Sequence, residues 1–165
     1  MKAATMIRRQ WLALLSVLGI GSAASRAPAA TSTPAASPLA WSESQWKQGL
    51  SPAQFDVLRR EGTERPFSSP LNAEKRPGRY ECAGCGTPLF GAEMKFDSGT
   101  GWPSFHTALP GALQTRTDFK LLFPRTEYHC AHCGGHHGHV FDDGPAPTGK
   151  RYCNNGVALR FVAKA

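Results

Sequence analysis

Two short cysteine turns, ECAGCG at 81–86 and HCAHCGG at 129–135, are the stretches that decide how this chain folds. Each turn separates two cysteines by two residues, Cys82 from Cys85 and Cys130 from Cys133, and a glycine follows each pair. This spacing aims two sulfurs at one tetrahedral ion, and the glycine lets the chain bend back over the metal. The two turns together predict one structural zinc ion per chain, bound by four thiolates that leave no open position for chemistry.

Disulfide bonds are the alternative for these four cysteines, because oxidising compartments favour them. A disulfide within a C-x-x-C turn, however, closes only a small loop. Such a disulfide is usually a redox pair rather than a structural crosslink. The spacing therefore favours zinc over two disulfides.

The sequence around the two turns is typical of short β-strands. Runs of β-prone residues separated by Gly, Pro or Asp occur at 79–82, 88–91, 94–96, 113–116, 119–123 and 127–130. The last run alternates, with Val157, Leu159 and Phe161 on one face. We therefore predict a mainly β fold, a small antiparallel sheet domain with one or two helices on its N-terminal side.

A helix should precede these strands. Ser51 fits the N-cap position and is followed by proline, which suits the first helical position. Phe55 and Leu58 then share one face, and Gly62 predicts the end of the helix. The segment at 62–78 contains too much Pro and Gly for regular structure and is expected to wrap as a loop.

The composition predicts one modest folded domain that follows a flexible N-terminal linker. The chain has 165 residues, of which 41% are hydrophobic, enough for a single core. Its formal charge of +7 falls to +4 without Lys2, Arg8 and Arg9, too small an excess to indicate a nucleic-acid partner. Residues 25–40 are mainly Ala, Pro, Ser and Thr and predict a flexible linker, which leaves 41–165 as the folded domain.

Residues 1–24 resemble an export signal peptide. Arg8 and Arg9 precede an apolar run at 11–24 that is too short to cross a membrane, and small residues end the run. The paired arginines favour a twin-arginine signal, with a general secretory signal as the alternative. The expected location is the bacterial periplasm, with membrane contact only during export; an uncleaved membrane anchor is the competing interpretation.

The fifth cysteine, Cys153 in GKRYCNNGVALRF (149–161), belongs to neither turn. Its simplest interpretation is a small buried hydrophobe, as most lone cysteines are. If the segment is extended, however, Arg151, Cys153 and Asn155 point to the same face. A guanidinium and an amide beside a thiol favour the thiolate, which is the nucleophilic form. The pattern therefore indicates a reactive thiol.

Two other segments supply groups that a reactive thiol could use. GGHHGHVFDDGP (134–145) carries His136, His137 and His139, which are candidate proton donors because imidazole titrates near neutrality. A metal site or a solvated loop are the alternatives for this cluster. Trp102, between glycine and proline in DSGTGWPSF (97–105), is either a core residue or the wall of a substrate pocket.

Four motifs and the two cysteine turns, in this order along the chain, resemble the B-type methionine sulfoxide reductases. The motifs are GTERPF (62–67), KFDSGTGWPSF (95–105), HHGHVFDDGP (136–145) and RYCNNGVALRF (151–161). The resemblance runs from about Trp46 to Phe161. It implies an enzyme that reduces the R epimer of methionine sulfoxide, free or in proteins, and a small antiparallel β fold whose zinc lies away from the active site.

The same resemblance assigns roles to individual residues. Cys153 is the nucleophile that attacks the sulfoxide sulfur and becomes a sulfenic acid. The remaining catalytic residues are His136 and His139, which protonate or orient the departing oxygen, and Asn155; the substrate-binding residues are Trp102, Phe141 and Arg151. The implied partners are oxidised methionine and a thioredoxin-like or small-thiol reductant, and the chain is expected to act as a monomer.

Three positions depart from the family pattern. Thr100 stands where many members have a second, resolving cysteine, and this changes how the enzyme must be regenerated. His137 stands where leucine is common, and Gly156 replaces a frequent serine. None of the three is the nucleophile.

Two other functions share part of this pattern. A non-catalytic zinc-ribbon binding module would have the same cysteine turns, but it would leave Cys153 and the histidine cluster unexplained. A disulfide oxidoreductase would use one C-x-x-C pair for catalysis. The reductase requires one bound metal and one reactive thiol, so counting zinc and free thiols separates the three.

Overall fold

The computed structural model describes residues 40–165. The predicted signal peptide, and the predicted linker up to residue 39, lie outside this range, so both stay predictions. Within residues 40–165, no helix has both the length and the apolar character needed to cross a membrane.

Two short helices open the described part of the chain, α1 at Glu43–Gly49 and α2 at Pro52–Arg60. Each begins with a capping box, in which a serine hydroxyl accepts a backbone N–H and a glutamine side chain accepts the N–H of that serine. The predicted N-cap at Ser51 is confirmed. The end of α2 differs by one residue from the prediction, because Glu61 takes the left-handed cap position at φ 58°.

Nine strands follow within the described residues, and they form two antiparallel sheets. They are β1 Gly78–Cys82, β2 Pro88–Gly91, β3 Lys95–Phe96, β4 Ser104–Phe105, β5 Leu113–Asp118, β6 Arg125–Cys130, β7 His136–Phe141, β8 Arg151–Asn154 and β9 Leu159–Ala163. The smaller sheet has the order β2-β1-β9, and the larger has the order β3-β4-β8-β7-β6-β5. The predicted fold class, mainly antiparallel β with two N-terminal helices, is confirmed.

Two local predictions were wrong. The run FKLLF at 119–123 is not a strand but the tip of the β5–β6 hairpin, where the Asp118 carboxylate accepts the backbone N–H of Lys120 at 2.8 Å and forms a turn. The alternative of a solvated loop for the histidine segment is excluded, because the segment forms the largely buried strand β7. Val157 lies in a short 3₁₀ turn that precedes β9, so the alternation begins later than predicted.

An aromatic core beneath the larger sheet fixes which way the site residues point. The rings of Phe90 and Phe105 stack with centroids 4.0 Å apart, and Tyr128 meets Tyr152 edge-on at 5.4 Å. Tyr152 therefore points from β8 into the core. Because side chains alternate along a strand, Cys153 points to the opposite face of the sheet.

Candidate active site

Cys153 lies in the interior of the larger sheet. On β8 it is opposite His139 of β7 on one side and opposite Ser104 of β4 on the other. Side chains that are directly opposite in an antiparallel pair point to the same face. The half-buried thiol therefore shares a face with the imidazole of His139, and it opens into a cleft of about 150 Å³.

Five of the residues predicted from the sequence line this cleft: Cys153, His139, Asn155, Trp102 and Phe141. Thr63 and Arg125, which the sequence did not indicate, also line it. His136 and Arg151 lie next to the cleft without lining it. The lining joins residues from β6, β7, β8 and two loops, so the cleft exists only in the folded chain.

The Cys153 thiol is less acidic than the sequence suggested. Burial raises its pKa above the ordinary value, while the charge of Arg151 and the hydroxyl of Thr100 lower it by less. Arg151 thus acts in the predicted direction, but burial outweighs it. Because its pKa is raised, the Cys153 side chain is a neutral thiol near neutral pH.

Arg151 is held between an acid and an aromatic ring. Its Nε and Nη2 each donate to Asp143, both at 2.8 Å, in a bidentate pair. The guanidinium also lies over the ring of Phe141, 4.4 Å from the centroid. These contacts place a positive charge beside Cys153 and fix the ring that forms one wall of the cleft.

His139 contacts an acid that comes from another strand. Its Nε2 lies 2.7 Å from Oδ2 of Asp118, the last residue of β5. Burial lowers the pKa of His139, and the bond to Asp118 offsets this only in part. His139 is the one histidine that lines the cleft, and it is therefore the candidate general acid.

His136 packs against the ring of His139 and contacts a buried carboxylate. Its Nδ1 lies 2.7 Å from the buried Glu127, and its ring meets that of His139 edge-on, with centroids 5.6 Å apart. His136 and His139 are three positions apart, so strict alternation would put them on opposite faces. A bulge opposite Tyr128 and His129 adds one residue to β7 and returns both rings to the same side.

His137 is the extra residue of this bulge and points into the core. Its side chain is fully buried, its ring stacks on Tyr128, and burial lowers its pKa to about 4. A neutral imidazole outside the cleft cannot protonate a substrate there. The prediction that all three histidines are candidate proton donors was therefore wrong for His137.

Glu64 connects the walls of the cleft. Its backbone N–H donates to Oδ1 of Asn155 at 3.0 Å, and its carbonyl accepts Nε1 of Trp102 at 3.1 Å. The Nδ2 of Asn155 donates to the carbonyl of His137 at 3.0 Å. The side chain of Asn155 is thus hydrogen-bonded to the main chain at both its oxygen and its nitrogen. Trp102 is half-buried and forms a wall of the cleft, so it is not a core residue.

The other four cysteines form a cluster that can hold a metal ion. All four sulfurs lie within 4.8 Å of one another, and Cys82–Cys133 and Cys85–Cys130 are each separated by 3.6 Å between Sγ atoms. Four sulfurs at about 2.3 Å from a tetrahedral ion would be about 3.8 Å apart, so the donor set fits. No disulfide joins any of the chain's cysteines, all of which fall within residues 40–165.

The two cysteine turns have the same backbone form. Gly86 and Gly134 take left-handed φ angles of 75° and 67°. Each donates its N–H to the carbonyl of the first cysteine of its turn, Cys82 or Cys130, at 2.8 and 2.9 Å. The predicted need for glycine after each pair is confirmed. None of the four cysteines lines the cleft, so the cluster is separate from it.

Comparison with known proteins decides the family, because the model of the SelR domain matches residues 50–163. This chain belongs to the SelR domain family. The peptide methionine sulfoxide reductase MsrB of Methanosarcina barkeri is 52% identical over 121 residues, which cover 73% of this chain and 85% of the relative. The MsrB of Bradyrhizobium diazoefficiens is 52% identical over 124 residues, covering 74% and 89%.

A mammalian relative carries a more specific name. The methionine-R-sulfoxide reductase B3 of Mus musculus is 46% identical over 125 residues, which cover 75% of this chain and 49% of the relative. The resemblance to B-type methionine sulfoxide reductases is thereby confirmed. A non-catalytic binding module is not favoured for this SelR domain, since each of these relatives is named as a reductase.

Several polar residues that build this SelR domain's site were given no role by the sequence. Asp118, Arg125 and Glu127 lie on the β5–β6 hairpin, and Glu64 lies in GTERPF, a motif that supports the family resemblance but indicates no contact for this residue. Acidic and basic residues on short strands are common on solvated faces, so their spacing predicts no site. Only the pairing of β5 with β6 and of β6 with β7 brings Asp118 and Glu127 to the histidines.

Proposed function

We propose that this chain reduces methionine R-sulfoxide to methionine and that Cys153 is the nucleophile. One observation carries the proposal: a thiol, a carboxylate-bound imidazole and two aromatic side chains meet in one cleft of about 150 Å³. The names of its relatives in the SelR domain family support the same reaction.

The cleft offers a separate contact for each part of a methyl sulfoxide. Trp102 and Phe141 supply apolar surface for the S-methyl group. With the methyl group between these rings and the sulfur facing Cys153, only one epimer can direct its oxygen towards His139. Three contacts on a chiral sulfur thus select one epimer, and the name of the related methionine-R-sulfoxide reductase B3 supports the R epimer.

The reaction transfers one oxygen between two sulfur atoms. The sulfur of Cys153 attacks the sulfoxide sulfur, and His139 protonates the departing oxygen, which is otherwise a poor leaving group. In net terms the sulfoxide S–O bond breaks and an S–O bond forms at Cys153. The methionine sulfur gains two electrons, Cys153 loses two, and the thiol proton ends on the sulfenic acid.

Arg151 and Asn155 support this chemistry without reacting. Arg151 stabilises the anionic form of Cys153 when substrate arrives, and through its contact with Phe141 it keeps the wall in place. Asn155 ties the end of β8 to Glu64 and His137, so it maintains the position of the thiol.

We further propose that the four-cysteine cluster binds one zinc ion with a structural role. Four thiolates in tetrahedral geometry are the donor set that zinc prefers in structural sites. The ion would join the β1–β2 turn to the β6–β7 turn, which are distant in sequence. The cluster would then stabilise the sheets that carry the cleft without taking part in the reaction.

An epimer-resolved assay tests the proposed reaction. With dithiothreitol as reductant, we expect the R epimer of free or peptide-bound methionine sulfoxide to be reduced and the S epimer to remain unchanged. Chiral chromatography of the products measures both. Equal rates for the two epimers, or no product from either, would contradict the proposal.

Regeneration should use an external thiol. The hydroxyl of Thr100 lies close enough to Cys153 to lower its pKa, so a thiol in place of Thr100 would be near enough to resolve a sulfenic acid, and the other four cysteines lie together in their own cluster. Without reductant, turnover should stop after one methionine and leave Cys153 as a sulfenic acid, heavier by about one oxygen mass. Mass spectrometry with a sulfenic-acid trap measures this; a loss of two hydrogens with release of metal would refute it.

Thr100→Cys provides the matched variant. A thiol at this position should condense with the sulfenic acid to give a disulfide and water, with a net loss of two hydrogens from the protein. Thr100→Ser, which adds no thiol, is the control and should still accumulate sulfenic acid. If Thr100→Cys also stops at sulfenic acid, Thr100 does not lie where a disulfide to Cys153 can form.

A further inference from the structure

The base of the β5–β6 hairpin carries an ion pair that reaches the cleft. Asp118 ends β5 and Arg125 begins β6, and the two residues are opposite each other in the register. Nη2 of Arg125 donates to Oδ2 of Asp118 at 2.6 Å, and the same oxygen lies 2.7 Å from Nε2 of His139. The three side chains thus form a chain that begins at the hairpin and ends at the candidate general acid.

This contact determines which nitrogen of His139 is available. The backbone N–H of Lys120, the imidazole and Arg125 hold the pKa of Asp118 well below its ordinary value, so Asp118 is ionised and can only accept. Nε2 of His139 must therefore carry the proton in this bond. Among the described residues no hydrogen bond involves Nδ1, which leaves this nitrogen for the cleft that His139 lines.

We propose that Asp118 and Arg125 form a positioning pair, which keeps the proton of neutral His139 on Nε2 and leaves Nδ1 for the sulfoxide oxygen. The inference rests on the proposed function and adds two residues to it. Arg125 itself lines the cleft and holds the carboxylate. Neither residue reacts with the substrate, since both act through His139.

The two members of the pair act on the proton affinity of His139 in opposite directions. The charged and titratable groups around this imidazole are Asp118, Arg125, His136, Glu127 and Cys153. Burial lowers the pKa of His139 most, Asp118 raises it, and the charges of Arg125 and His136 lower it. Glu127 is engaged by Arg116 and by two other imidazoles, and resting Cys153 carries no charge.

The arrangement suits a transient proton donor. As the sulfur of Cys153 attacks, its thiol proton passes to Nδ1 of neutral His139. The transiently cationic ring gives this proton to the departing oxygen and keeps the proton on Nε2, which stays hydrogen-bonded to Asp118. His139 is therefore neutral and in the same tautomer before and after the step, and the thiol proton ends on the sulfenic acid without any proton from solvent.

The pair can be tested by NMR without relying on turnover. In the full-length protein labelled with ¹⁵N-histidine, the His139 signals, assigned by their loss in His139→Gln, report its tautomer and its titration midpoint. We expect the Nε2–H tautomer in the wild type. Asp118→Asn should lower the midpoint and Arg125→Gln should raise it, each by about one pH unit.

Activity and a matched control complete the test. In single turnover at neutral pH, Asp118→Asn should slow sulfoxide reduction by roughly two orders of magnitude. Lys47→Gln, which removes one positive charge from an exposed ion pair with Glu43 on α1, should leave both the titration midpoint and the rate unchanged. Midpoints that move in the same direction in both variants, or a wild-type Nδ1–H tautomer, would overturn the positioning pair even if the enzyme reduces sulfoxide.

Discussion

Cys153→Ser should abolish methionine sulfoxide reduction. A serine hydroxyl has almost no anionic form near neutral pH and is a weak nucleophile towards sulfur, and no other thiol lines the cleft within the described residues. The variant should show no methionine above the uncatalysed level in a single-turnover assay with excess enzyme. It should also form no trappable sulfenic acid.

The Cys153→Ser protein should remain folded, which separates lost chemistry from lost structure. The substitution is nearly isosteric, and the residue is half-buried at the edge of a cleft rather than in the aromatic core. Its melting temperature and bound metal should match those of the wild type. Residual reduction at the wild-type rate would overturn the assignment of the nucleophile and would point to one of the cluster cysteines.

Cys130→Ser, unlike Cys153→Ser, should greatly lower the stability of the fold, because it removes one ligand of the proposed metal site. The unfolded chain has no preformed site, so the free energy of metal binding contributes directly to folding. Cys130 is fully buried, and its Sγ lies 3.6 Å from that of Cys85 on a distant turn. We expect the free energy of unfolding to fall by several kcal/mol, measured by thermal and denaturant unfolding.

Metal analysis and chelation complete this second prediction. The wild type and Cys153→Ser should each contain about one zinc per chain, and Cys130→Ser should contain much less. Removal of metal from the wild type with a chelator should lower its melting temperature, and added zinc should restore it. Metal-free protein that melts at the wild-type temperature would contradict a structural zinc site.

The cysteine turns and the start of α2 could be predicted because their causes are local. Ser51 caps α2 through contacts within one helical turn, and each C-x-x-C turn needs only its own glycine to point two sulfurs together. Tyr152 and Cys153 point to opposite faces because alternation is a property of any strand. Each of these features depends only on residues close together in the sequence, so the sequence indicated the helix cap, the cysteine turns and the alternation directly.

The hairpin tip at 119–123 shows where this local reasoning failed. Its apolar residues have high strand propensity, yet the Asp118 side chain forms a turn with Lys120 and the chain reverses. Leu122 is 89% exposed as a result. Propensity describes how a residue fits a sheet, but it does not determine whether a partner strand is present.

What the sequence determined by itself is the four-cysteine cluster, the candidate nucleophile, the strand that carries it and the family. What only the tertiary structure decided is the arrangement of imidazoles and carboxylates around that thiol. The bulge at His137 breaks the alternation, so it places His136 and His139 on one face and His137 in the core. Asp118 reaches His139 only because β5, β6 and β7 pair in this register. Register depends on how whole strands pack, and that information is spread over the chain rather than held in any one motif.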